Sequence, residues 1–97
     1  TIINVVDGDT VDAVIDVGFD ITVTKRLRLL GIDTPERGQA GYQAAKEALA
    51  GEVLNQVVTI VTEKADSFGR YLAWIHTDLF NVNRWMIAKG FATDYVG

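Results

Sequence analysis

The stretch Ile2-Ile3-Asn4-Val5-Val6-Asp7-Gly8-Asp9-Thr10-Val11-Asp12-Ala13-Val14-Ile15-Asp16-Val17 decides the fold. It opens with an apolar run that stops at Asp7-Gly8. Aspartate-glycine between two apolar runs signals a hairpin, because glycine accepts the positive φ of a tight turn. Beyond it, Val11, Ala13, Ile15 and Val17 alternate with Asp12, Val14 and Asp16. That period of two predicts a half-buried strand. The domain therefore opens as antiparallel sheet.

Working outward, Gly18 marks the next turn. Ile21 to Ile32 is rich in β-branched residues and leucine and predicts a long third strand, bent near Gly31. Asp33-Thr34-Pro35-Glu36 leaves the sheet, and residues 37–41 form a loop with two glycines. Tyr42 to Leu54 reads as a helix: Ala44, Ala45, Ala48, Leu49 and Val53 recur at helical spacing, while Lys46, Glu47 and Glu52 can face water. Val57 to Glu63 is a fourth strand, Asp66 to Gly69 a turn and Arg70 to His76 a fifth strand. Val82 to Lys89 is a shorter helix that stops before Gly90, a natural C′ residue. Its Trp85, Met86 and Ile87 read as core. Phe91 to Gly97 is a closing segment. The expected fold is α+β and mainly β, a five-stranded barrel of the oligonucleotide/oligosaccharide-binding (OB) type with two packed helices.

Ninety-seven residues make one domain with an adequate core. Hydrophobic residues are 48% and charged residues 23%, ordinary for a globular protein. No apolar run approaches the ~20 residues that span a bilayer, so no membrane partner is expected. No signal segment is visible, and the chain opens at Thr1 rather than Met, as either a processed secreted chain or a trimmed one would. The absence of cysteine excludes disulfides, thiolate catalysis and sulfur-liganded zinc. The net charge of −4 counts against tight binding of a polyanion. A divalent cation bound among Asp7, Asp9, Asp33 and Glu36 would offset part of that charge.

Three segments concentrate the reactive residues: Asp7-Gly8-Asp9-Thr10, Arg28 to Glu36, and Asp66-Ser67-Phe68-Gly69-Arg70. Asp9 and Asp33 lie just past predicted strand ends, where a sheet holds side chains firmly. Two aspartates and the Thr34 carbonyl would fill part of a calcium shell, leaving the rest to water and a phosphate. The plainer reading makes Asp7 and Asp9 turn-formers and lets Asp33 or Thr34 cap a helical turn begun by Pro35. Glu36 either completes a capping box with Asp33 or serves as a general base toward water. Arg28 and Arg70 are either ordinary strand and turn charges or a pair of guanidinium groups matched to a phosphate. Arg26 shares a face with Arg28 but lies farther from the strand end. His76 reads as a half-exposed structural histidine. Tyr95 either packs at an edge, or stacks on a base or bonds a phosphate. Cation, base and paired guanidinium groups are what phosphodiester cleavage requires.

In this order, Val6-Asp7-Gly8-Asp9-Thr10-Val11, Arg28 to Glu36, Phe68-Gly69-Arg70-Tyr71-Leu72-Ala73, Val82-Asn83 and Lys89-Gly90-Phe91-Ala92 resemble the staphylococcal nuclease-like (thermonuclease) family. The likeness runs from about Ile3 to Tyr95. It implies an OB-type barrel and a calcium-dependent endonuclease that hydrolyses DNA and RNA with little sequence preference. It also implies that the 5′ oxygen leaves, giving 3′-phosphate products. It implies Asp9 and Asp33 as carboxylate ligands, Thr34 as a backbone ligand, Glu36 as general base, and Arg28 and Arg70 as stabilisers of phosphoryl charge. Tyr95 matches a substrate-binding tyrosine, and a monomer is expected.

The departures are local. The loop from Arg37 to Gly41 is short and carries one arginine. Ser67-Phe68 stands where the best-known members have lysine and tyrosine. A second closing tyrosine and a third, C-terminal helix are missing, as in a chain cut short at its C-terminus. Two rival readings remain: a non-catalytic OB-type module that binds nucleic acid or protein, and a purely structural calcium site.

Overall fold

The computed structural model of the chain describes residues 1–65 and 71–95. The predicted turn at 66–69, the start of the fifth strand at Arg70 and the last two residues lie outside that range. Strand β1 (Ile2–Asp7) and β2 (Thr10–Asp16) form the expected hairpin, with Asp7 opposite Thr10 and Val5 opposite Val11. Two register irregularities bend β1, between Ile2 and Asn4 and between Val5 and Asp7. β2 pairs in unbroken register with β3 (Thr22–Leu29), from Thr10 opposite Arg28 to Asp16 opposite Thr22.

The third strand is shorter than its sequence suggests. β3 ends at Leu29, and Gly31, at φ 75, turns the chain. Ile32 and Asp33 then form a separate short strand, β4, whose partner is β7 (Thr93–Asp94) near the other end of the chain. The closing segment is thus a strand, and it pairs with the segment that carries Asp33. Helix α1 (Tyr42–Val53) follows a loop and leads to β5 (Thr59–Ala65). β6 (Tyr71–His76) and helix α2 (Val82–Ala88) follow, with Gly90 at φ 81 ending the second helix as anticipated.

The main sheet runs β1-β2-β3-β6-β5, with β6 parallel to β3 over Leu27–Leu29 and antiparallel to β5. That mixed order with two helices is the OB-type arrangement expected. Closure is slight: β1 meets the far side through the Ile2–Leu54 bridge, an N–H of Ile2 donating to Gln56 O at 3.1 Å and an N–H of Asn55 donating to Ile2 O at 2.7 Å. β1 and β5 share no ladder among the described residues.

The core lies between the sheet and the helices. Val11 and Ala13, Leu27 and Leu29, and Ala73 and Ile75 point inward with the predicted period of two. Leu49 and Val53 of α1 and Val82 and Met86 of α2 cover them. Ala44, expected on the apolar face of α1, is exposed, and Tyr42 takes the inward position instead. Met86 is fully buried, whereas Trp85 and Ile87 are only partly so, Trp85 stacking on Phe80 with centroids 5.7 Å apart. Among the described residues no helix is long and apolar enough to cross a membrane.

Two polar side chains hold this frame near the site. Asn83 is fully buried, and its amide donates to Leu30 O at 2.8 Å and Ala73 O at 3.0 Å while accepting from the Ile75 N–H at 3.0 Å. It therefore ties α2 to β6 and to the turn after β3. Tyr42 donates its hydroxyl to Asp7 Oδ1 at 2.7 Å, with Val6 O 3.3 Å from the same oxygen, which joins α1 to the end of β1.

Candidate functional site

Gly8 places the first acidic segment, for a different reason from the one its sequence suggests. It is not among the residues of positive φ. Instead, a Cβ there would lie 2.9 Å from Ala45 Cβ and 3.1 Å from both Thr34 Oγ1 and Cγ2. The turn is pressed against α1 and the Thr34 segment, and only hydrogen fits between them. Asp9 is thereby brought to the same place as Asp33-Thr34.

From there the carboxylate of Asp9 is fixed on two sides. Its backbone carbonyl accepts from the Leu29 N–H at 2.8 Å, and its Oδ1 accepts from the buried Thr10 hydroxyl at 3.0 Å. Arg28, opposite Thr10 in the β2–β3 ladder, reaches Asp9 Oδ2 through Nη2 at 3.4 Å. The same nitrogen is 3.7 Å from Asp33 Oδ1, and Nη1 donates to Leu29 O at 3.2 Å. The side chains of Asp9 and Arg28 are each 13% exposed, against 56% for Asp33. Asp9 and Arg28 thus form a wall of the site, while Asp33 stands at its rim.

Asp9, Arg28, Asp33, Thr34 and Glu36 line one cleft of about 390 Å³ together with Val6, Asp7, Pro35 and Arg37. Arg70 lies outside the described residues. Tyr95 does not line the cleft; its ring sits 5.0 Å from Arg28 Cζ. His76 is half-buried and is not part of this lining.

The helix-capping alternative for Asp33 to Glu36 does not hold, because α1 begins only at Tyr42. The Glu36 N–H instead donates to Gln39 Oε1 at 2.7 Å, and the Gln39 N–H returns a bond to Glu36 O at 2.9 Å. This small closed loop leaves the Glu36 side chain on the cleft lining. Arg26 is otherwise engaged. It forms a two-pronged pair with Asp12, opposite it in the ladder, at 2.8 and 3.2 Å. The Arg26 hydrogen bond, despite partial desolvation, holds the Asp12 carboxyl below its usual range, and Asp12 in turn raises Arg26.

The sequence signalled Asp9, Arg28, Asp33, Thr34 and Glu36, but not Asn83, Tyr42 or Arg37 as parts of this arrangement. A polar residue at the first turn of an apolar helix was the available signal for Asn83. Among the described residues no three His, Cys, Asp or Glu side chains come together as a ready-made metal cage. Two carboxylates, one from the β1–β2 turn and one from β4, nevertheless converge on one nitrogen, in a cleft whose remaining donors are oxygen. That chemistry suits a hard divalent cation that keeps water or substrate oxygens in its shell.

Comparison with known proteins places the chain in a family. A family described as staphylococcal nuclease homologue matches residues 26–96. The chain is 34% identical to Protein ParB of Escherichia coli, over 97% of this chain and 55% of that protein. It is 32% identical to a micrococcal nuclease of Shigella flexneri, over 97% of this chain and 56% of that one. It is 31% identical to an uncharacterized endonuclease of Haemophilus influenzae, over 97% and 51% respectively. The chain spans about half the length of the curated relatives it matches. With the OB-type sheet order and the match over residues 26–96, the chain belongs to the staphylococcal nuclease family.

Proposed function

We propose that this chain carries the catalytic centre of a nuclease, a calcium-dependent endonuclease that hydrolyses phosphodiester bonds of DNA and RNA with little sequence preference and leaves 3′-phosphate ends. The observation that carries this reading is the convergence of Asp9 and Asp33 on Arg28 Nη2, at 3.4 and 3.7 Å, in a cleft that Glu36 also lines. Family membership and the names of the relatives, a micrococcal nuclease and several endonucleases, support it.

In this reading Asp9, Asp33 and the Thr34 carbonyl hold the cation. When bound, calcium supplies a fixed positive charge that acts as a Lewis acid toward phosphoryl oxygen. Arg28 holds a phosphate oxygen through the guanidinium donors left over from Leu29 O and Asp9. It stabilises the charge that grows there in the transition state. Arg70 supplies a second guanidinium on the strength of its sequence position. Glu36 orients water for in-line attack and accepts its proton.

The test is degradation of single-stranded DNA, double-stranded DNA and RNA with calcium, with calcium plus chelator, and with Arg28→Ala and Arg70→Ala. The expected outcome is calcium-dependent cleavage that both variants reduce by orders of magnitude, with 3′-phosphate ends. Cleavage that survives chelation, or that both variants leave intact, refutes the assignment.

A further inference from the structure

We propose that Tyr95 is a positioning residue: its ring holds the Arg28 guanidinium on the cleft wall and does not itself take the substrate. The ring lies 5.0 Å from Arg28 Cζ, within the range where a cation is drawn to an aromatic face. It does not line the cleft. It borders a smaller hollow of about 130 Å³, shared with Gly31, Trp74 and Arg84. Arg28 lines the cleft and Tyr95 reaches it only through Arg28.

The hydrogen bonds of Arg28 leave it short of a fixed orientation. Those to Leu29 O and Asp9 Oδ2, at 3.2 and 3.4 Å, are long, and the approach to Asp33 Oδ1, at 3.7 Å, is longer still. All three are made by the two terminal nitrogens, so the face of the group needs separate support. Tyr95 can give that support because its own backbone is anchored. Its N–H donates to Gly31 O at 2.9 Å, directly after the β4–β7 pairing. Gly31 in turn is held at φ 75, where a Cβ would come 3.3 Å from Trp74.

The kinetic arm of the test rests on the nuclease reading; the other arm does not. In the first, relaxation of the Arg28 side-chain Nε–H is measured by NMR in the wild type, Tyr95→Phe and Tyr95→Leu. The wild type and Tyr95→Phe should keep an order parameter near the rigid value of ~0.85, and Tyr95→Leu should fall toward ~0.6 or below. An unchanged value in Tyr95→Leu overturns the proposal. In the second, calcium-stimulated DNA cleavage is measured for Tyr95→Phe, Tyr95→Leu, Arg28→Ala and Arg28→Ala/Tyr95→Leu. Tyr95→Leu should lose about tenfold, Tyr95→Phe little, and the double variant no more than Arg28→Ala alone. A tenfold loss that persists in the Arg28→Ala background means that the ring meets substrate directly, and overturns the proposal. If the wild type cleaves nothing, the nuclease reading fails, and the NMR arm still decides the role of Tyr95.

Discussion

Gly8 and Ala45 approach so closely that a methyl group on Gly8 would lie 2.9 Å from Ala45 Cβ. Ala45 is buried and its Cβ cannot swing aside, so Gly8→Ala must move the turn or the helix. The expected cost is about 1–3 kcal/mol, typical of overpacking. Cleavage should fall beyond what the stability loss explains, because Asp9 moves with the turn. Gly51 is the control: it is helical, and a Cβ there meets nothing within 4 Å. Gly51→Ala should gain about 0.5–1 kcal/mol. Urea unfolding of both variants checks the pair, and equal effects would contradict the packing argument.

Asn83 makes three hydrogen bonds with no solvent in reach. Asn83→Leu leaves the Ile75 N–H and the Leu30 carbonyl without that partner, while the Ala73 carbonyl keeps the Leu30 N–H at 2.8 Å. Each buried group left unsatisfied costs about 1–3 kcal/mol, so the variant should lose roughly 3 kcal/mol or more. Because Leu30 lies two residues after Arg28, weakened cleavage should accompany the loss under conditions where the variant remains folded. Chemical denaturation followed by tryptophan fluorescence measures the first effect.

The Asp12–Arg26 pair gives a pH dependence with a definite sign. Its hydrogen bond from Arg26 holds the folded-state Asp12 carboxyl below its value in the unfolded chain. The stabilisation is therefore present above the unfolded value of about 4 and is lost as pH falls through the lower folded value. Wild type should exceed Asp12→Asn in stability at pH 7, and the gap should narrow below about pH 4. High salt should narrow it as well, since Arg26 is 53% exposed. Thermal unfolding at pH 7, 4 and 3 follows this; a gap that widened on acidification would contradict the pairing.

Glu36 is exposed, and its backbone rather than its side chain closes the loop with Gln39. Glu36→Gln should leave stability within about 0.5 kcal/mol of wild type. Cleavage should nevertheless drop by about 10²–10⁴, the usual contribution of a general base. A variant that unfolds early would mean that the carboxylate has a structural duty instead.

Much of the fold was legible because it rests on local pattern. Val11 and Ala13, Leu27 and Leu29, and Ala73 and Ile75 alternate in the sequence and in the core alike. Gly90 stops α2 where a left-handed residue was needed. What the sequence concealed depends on partners far along the chain. Gly8 reads as a turn glycine, but its constraint comes from Ala45, a residue on another element. Ile32 reads as the end of a long strand, because nothing nearby reveals that its pairing partner is Asp94. Ala44 falls outside the buried stripe of α1, in which Tyr42, Ala45, Leu49 and Val53 follow one another at helical spacing. The grouping of Asp9, Arg28, Asp33, Thr34 and Glu36 was expected from the family resemblance, since residue types alone left turn-forming and capping roles open. The long contacts of Arg28, and the ring beside it, were not.

The bond from Thr93 Oγ1 to Asp33 O spans sixty positions of chain, alongside the β4–β7 pairing. Synthesis on the ribosome releases Asp33 long before Thr93, so one acidic arm of the cleft waits for sixty further residues to emerge. A nascent chain should hold its sheet and first helix before it acquires a working centre. The onset of enzymatic competence during translation would then trail compaction, and an internal stop just before Thr93 would yield a protein that is folded but catalytically silent.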